Sequence, residues 1–81
     1  MTVPSFIIYG HDYCHLCELM VEQLQPLVDA GLMSLRVVDL DDHPELETLH
    51  AERVPVLIHE DGEPVCHGRL DRAALERALM R

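Results

Sequence analysis

Residues 6–20 read FIIYGHDYCHLCELM. An apolar, β-rich run from Ser5 to Tyr9 is closed by Gly10-His11-Asp12, and Cys14 and Cys17 then open a stretch with helical spacing. That order reads as a buried strand, a tight loop and a helix, with two thiols where the helix starts. Beyond Cys14, residues Leu16, Leu19, Met20, Gln23, Leu24, Leu27 and Val28 recur at helical intervals and are expected to form the apolar stripe. Pro26 should kink this helix or split off its last turn. Gly31 should end it, one position beyond the cap.

Working outward, Leu35 to Leu40 (LRVVDL) reads as a second strand. It can lie parallel to the first, because the intervening helix supplies a full crossover. Asp42-His43-Pro44-Glu45 has the marks of a helix start, with a cap, a proline in the first turn and an acid at the positive end. Leu46 and Leu49 give that short helix an apolar side. Val54 to Ile58 reads as a third strand, Glu60-Asp61-Gly62-Glu63 as a hairpin turn, and Pro64 to His67 as a fourth strand antiparallel to the third. Asp71 then caps a last helix with Ala74, Leu75, Ala78 and Leu79 on one face. The expected architecture is an α/β sandwich of order βαβαββα, with a four-stranded mixed sheet and three helices.

An 81-residue chain has room for one small domain, residues 1–81, near the size at which a single core just suffices. Apolar residues make up 48% of it, enough to build that core. Six basic residues against 15 acidic ones leave a net charge of −9, which argues against a nucleic-acid partner. The absence of lysine removes Schiff-base chemistry and the phosphate-binding P-loop. No apolar stretch is long enough to span a bilayer, so no membrane association is expected. The opening MTVPSFIIYG lacks the basic segment and cleavage site of a signal peptide, so the expected location is cytoplasmic. In that compartment a close cysteine pair is more often catalytic or metal-binding than a structural staple.

Residues three apart on a helix have Cα atoms about 5–6 Å apart, within the span of a disulfide, so the pair can join and part with little backbone movement. Cys14, at the first turn, meets the positive end and unpaired N–H groups of the helix, which favour a thiolate. His15 beside it, and His11 on the preceding loop, are candidates to strengthen that effect when protonated. Cys17 is expected to be less exposed and to hold its proton more tightly. The asymmetry suits an attacking thiolate at Cys14 and a resolving thiol at Cys17.

Tyr9 followed by Cys14-His15-Leu16-Cys17, then Val54-Pro55 near a strand start, a hairpin, and Gly68-Arg69-Leu70-Asp71 before the last helix resemble the glutaredoxin branch of the thioredoxin-like fold. The similarity covers nearly the whole chain and is greatest to small bacterial glutaredoxin-like proteins with CHLC, RVPVL and GRLD segments. It implies a thiol–disulfide oxidoreductase with Pro55 as a cis proline facing the disulfide, and the backbone of Val54 free to pair with an extended substrate. The expected substrate-binding set is Val54, Pro55, Gly68 and Asp71, joined by Arg53, which reads either as a salt-bridging surface residue or, because it precedes Val54-Pro55, as part of the groove. Glutaredoxins typically carry a lysine before the C-x-x-C, a T-V-P triplet and a G-G pair; here stand Gly10-His11-Asp12-Tyr13, Arg53-Val54-Pro55 and His67-Gly68. Asp12 would repel a glutathione carboxylate, whereas Arg53 and Arg69 would attract one. Glutathione is therefore a candidate co-substrate, with no resident cofactor or metal expected. Protein or small-molecule disulfides are the expected partners, glutathione or a thioredoxin-reductase-type donor the candidate reductants, and a monomer the expected state.

Other readings stay open at this level. The two cysteines could be small core residues in a non-catalytic adaptor, or His11, Cys14, His15, Cys17, Cys66 and His67 could supply four ligands to a structural zinc. An iron–sulfur cluster shared between two chains, with glutathione as extra ligand, is known in some glutaredoxins. Cys66 is expected to pack as a small apolar residue, with trapping of Cys14 as the sharper alternative. His43, His50 and His59 read as surface residues. The acidic runs at 39–42 and 60–63 read as solvated loop ends that would repel acidic partners.

Overall fold

Alternation along the first strand sets the fold: Phe6, Ile8 and Gly10 are buried on one face, while Ser5, Ile7 and Tyr9 on the other are only partly covered. The computed structural model describes the backbone of residues 3–11, 14–50 and 53–80, and their side chains except at 49 and 50. Its elements are β1 (Ser5–Gly10), α1 (His15–Asp29), β2 (Ser34–Asp39), a 3₁₀ turn (Leu40–Asp42), α2 (Pro44–His50), β3 (Val56–His59), β4 (Pro64–His67) and α3 (Arg72–Leu79). Strand order is β2-β1-β3-β4. β1 runs parallel to β2 and antiparallel to β3, and β4 runs antiparallel to β3. This is the expected mixed sheet with its three helices.

One cluster unites Phe6 and Ile8 of β1, Met20 and Leu24 of α1, Met33, Leu57 of β3, and Leu75 and Ala78 of α3. α1 and α3 therefore share that sheet face. α1 closes as the sequence suggests: Gly31 has φ +76°, its N–H donates to the Val28 carbonyl, and the Leu32 N–H donates to that of Leu27. This pair of bonds is the Schellman arrangement, which needs a left-handed residue at that point.

The structure departs from the sequence reading at several places. Leu16 and Leu19 are exposed; the buried stripe is Cys17, Met20 and Leu24. Cys17 thus belongs to the core face, and Leu16, one residue back, is rotated about 100° away from it. Pro26 does not divide α1, which runs unbroken to Asp29; near the carboxyl end a proline sacrifices just one helical hydrogen bond. β2 ends at Asp39, not Leu40, because the Asp39 carboxylate accepts the Asp41 N–H at 2.9 Å and turns the chain. β3 begins at Val56, since Pro55 has no N–H for the ladder. The β3–β4 register shifts between Leu57 and Ile58, beside Pro64 on this edge strand. His59 is no surface residue: its ring packs edge-on against Phe6 at 5.1 Å and its Nδ1 lies 3.3 Å from the Asp61 N–H. Leu46 is partly buried, while the side chains of Leu49 and His50 fall outside those described.

Leu24 is fully buried between the sheet and α3. Leu24→Ala should cost about 3 kcal/mol of stability, read as a lowered urea midpoint with an unchanged denaturant slope.

Candidate functional site

Cys14 lies just outside the first helical turn: it is the N-cap of α1, with extended backbone at φ −93° and ψ 107°. Three hydrogen bonds hold it. The Cys14 N–H donates to the His11 carbonyl at 3.1 Å, closing the loop, and the Cys14 carbonyl accepts the Glu18 N–H at 3.1 Å, starting the helix. The Cys17 N–H points at the Cys14 sulfur at 3.2 Å. The cap position is thus taken by a sulfur where serine or aspartate is usual. Cys14 and Cys17 form a disulfide with their Cα atoms 5.2 Å apart. Asp12 and Tyr13 lie outside the described residues.

Cys17 is 7% exposed and Cys14 intermediate, the expected asymmetry. What makes room for Cys17 is Gly10. A Cβ built on Gly10 would sit 2.7 Å from the Cys17 Sγ, closer than such atoms pack, and a tight 3.1 Å from its Cβ. Glycine is required here for space, since Gly10 does not adopt a positive φ. In the sequence Gly10 reads only as a strand stop. Period-two counting from Phe6 and Ile8 was the available signal that residue 10 turns inward.

The second expected feature is also present: the Val54–Pro55 bond is cis, and Pro55 is fully buried. Gly68, at φ +76°, donates its N–H to the Pro55 carbonyl at 2.8 Å, so the segment before α3 is tied to the start of β3. Asp71 caps α3 by accepting the Ala74 N–H at 3.1 Å. Arg53 and His15 are exposed. His11 lies with its Nδ1 3.1 Å from the Asp41 carboxylate, and its side chain is largely buried. Asp39 and Asp41, expected as solvated loop ends, accept these turn-forming and histidine contacts.

Cys66 pairs with Leu57 across the β3–β4 ladder and packs against the core cluster, as the plainer reading held. Burial pushes its thiol above the ordinary range; a backbone hydrogen bond from Asp71 acts against this, and the Asp71 carboxylate adds to it. Among the described residues, the cluster of metal-ligating groups that forms is His11, Asp41 and Glu47. It contains none of the cysteines, two of which are joined in the disulfide.

The glutaredoxin-like domain (DUF836) model matches residues 5–80. The chain belongs to the glutaredoxin-like family. It is similar to protein Ne2328 from Nitrosomonas europaea, at 30% identity and a TM-score of 0.85 over 96% of this chain and 93% of that one. Protein XcR50 from X. campestris is 29% identical, with a TM-score of 0.68 over 93% of this chain and 95% of that one. Thioredoxin 1 from Thermosipho africanus, 17% identical with a TM-score of 0.63 over 94% of each chain, shares the fold. No curated protein matches the chain. This glutaredoxin-like chain thus has the thioredoxin-like α/β fold, and its cysteine pair at disulfide distance supports a redox-type function. No helix among the described residues is long and apolar enough to cross a membrane.

Two outcomes test this geometry. Gly10→Ala should destabilise the protein by about 1–3 kcal/mol, and by less in a Cys17→Ala background, where the colliding sulfur is gone; a four-protein denaturation cycle measures the difference. With the Cys14–Cys17 bond intact, Cys66 should react with iodoacetamide at pH 8 more slowly than an unstructured cysteine peptide, because burial keeps it protonated and shielded.

Proposed function

We propose that this protein is a thiol–disulfide oxidoreductase in which Cys14 is the attacking thiolate and Cys17 the resolving thiol. The observation that carries this reading is the placing of Cys14 as the α1 cap, its sulfur facing the Cys17 N–H and bonded to a buried partner. In the reduced protein the same N–H and the positive helix end favour negative charge on Cys14. The exposed His15 next to it adds positive charge when protonated.

The Cys14 thiolate attacks one sulfur of a substrate disulfide. A mixed disulfide forms, and one substrate thiolate leaves. Deprotonated Cys17 then attacks the Cys14 sulfur, the second substrate thiolate leaves, and Cys14–Cys17 is oxidised as the substrate gains two electrons. Glutathione or a thioredoxin-reductase-type donor returns the pair to the dithiol. Arg53, the Val54–Pro55 backbone, Gly68 and Asp71 hold the substrate chain. The Gly68–Pro55 hydrogen bond supports this reading by making the two segments move as one. The substrates are protein or small-molecule disulfides, met in the cytoplasm by a monomer.

Titrating the metal-free protein in glutathione buffers, with alkylation and intact mass as readout, tests the proposal. One reversible two-proton loss is expected, disappearing in Cys14→Ser and Cys17→Ser. Cys14→Ser should abolish disulfide reduction, and Cys17→Ser should accumulate mixed disulfide. Thiols that stay fully alkylatable at every potential, or full turnover by Cys14→Ser, would sink the reading.

A further inference from the structure

Residues 11, 41 and 47 form no motif in the sequence. The fold gathers them: His11 comes from the loop after β1, Asp41 from the 3₁₀ turn and Glu47 from α2, and one ligand atom of each lies within 4.8 Å of the other two. The His11 side chain is 8% exposed and already oriented by Asp41, so the imidazole is held in place before any ligand arrives. The half-buried Glu47 is not explained by that pair. Its carboxylate is brought close to a second one, and among the described residues no arginine pairs with Asp41 or Glu47. Two neighbouring carboxylates repel one another, which a cation bound between them relieves, and besides His11 a chain without lysine at net charge −9 has few cations to offer.

We propose that His11, Asp41 and Glu47 form a binding site for a divalent transition-metal cation, with zinc as its representative. One imidazole nitrogen and two carboxylate oxygens are a borderline donor set, which suits zinc or manganese better than copper(I) or calcium. Three protein ligands leave a position for water, and an ion about 2.1 Å from each ligand needs ligand atoms no more than about 4.2 Å apart. The His11 Nδ1 and Asp41 carboxylate oxygen are already 3.1 Å apart, and the Glu47 carboxylate lies within 4.8 Å of both ligand atoms. His11 also borders a solvent-open groove of about 460 Å³ whose walls carry Glu18, Glu22 and Asp39. Most of that groove is apolar, lined by Ile8, Val21, Val37 and Val38, and His11 is the one site residue it reaches.

The site is separate from the proposed thiol chemistry and is tested without it. Cys66→Ser protein with the Cys14–Cys17 disulfide formed has no thiolate to offer, and zinc chloride is titrated into it calorimetrically. One saturable site is expected, weakened at least about tenfold by Glu47→Gln and by Asp41→Asn. It should be unchanged by Glu60→Gln, which removes the same charge from the exposed hairpin, and by His15→Asn. Absence of saturable binding up to about 1 mM zinc, or equal weakening by Glu60→Gln and Glu47→Gln, overturns the proposal. A metal site intact in a protein whose cysteines prove unreactive would leave this inference standing and remove only the oxidoreductase reading.

Discussion

The sulfur of Cys17 occupies the space that any side chain at residue 10 would need. This contact ties the carboxyl end of β1 to the first turn of α1, and much else is aligned by it. With Cys17 turned inward, Met20 and Leu24 follow on the same helix face and meet Phe6 and Ile8 across the sheet. Leu16 and Leu19 are rotated out toward Gly68, Arg69 and Leu70. Cys17 is thus a core residue and a partner in the disulfide at once.

Cys14 is held differently, by loop and helix-cap hydrogen bonds together with the disulfide. Its N–H closes the loop on His11, its carbonyl begins the helix, and its sulfur stands in for the usual capping oxygen. A cap residue lies at the edge of the fold, and Cys14 is correspondingly more exposed than Cys17. The unequal environments follow from one helical turn, with one cysteine at its mouth and the other on its inner side. The same loop sends the His11 ring toward Asp41, so the residue whose carbonyl anchors Cys14 also joins the carboxylate cluster.

Much of the fold was legible because its signals are local. Gly31 as a left-handed helix stop, Asp71 as a cap, and Pro64 to His67 as a strand all stand where residue chemistry puts them. The errors share a cause as well. Leu16 and Leu19 fit helical spacing as well as the true stripe does, and periodicity cannot say which flank of a helix meets the sheet. A histidine in a hairpin is usually solvated, and only the antiparallel register brings His59 over Phe6.

For the candidate site the division is similar. The C-x-x-C spacing, its place at a helix start and the Val54-Pro55 pair are written in the chain, because three residues of helix set a disulfide-length separation whatever surrounds them. The sequence by itself therefore determined the cysteine couple, the order of elements and the family. Tertiary structure alone decided that Gly10 must lack a side chain, that Gly68 reaches the Pro55 carbonyl, and that His11 meets Asp41 and Glu47. These contacts join residues distant in the chain or on different elements, and they exist only once the packing of β1 against α1 has set where each loop ends.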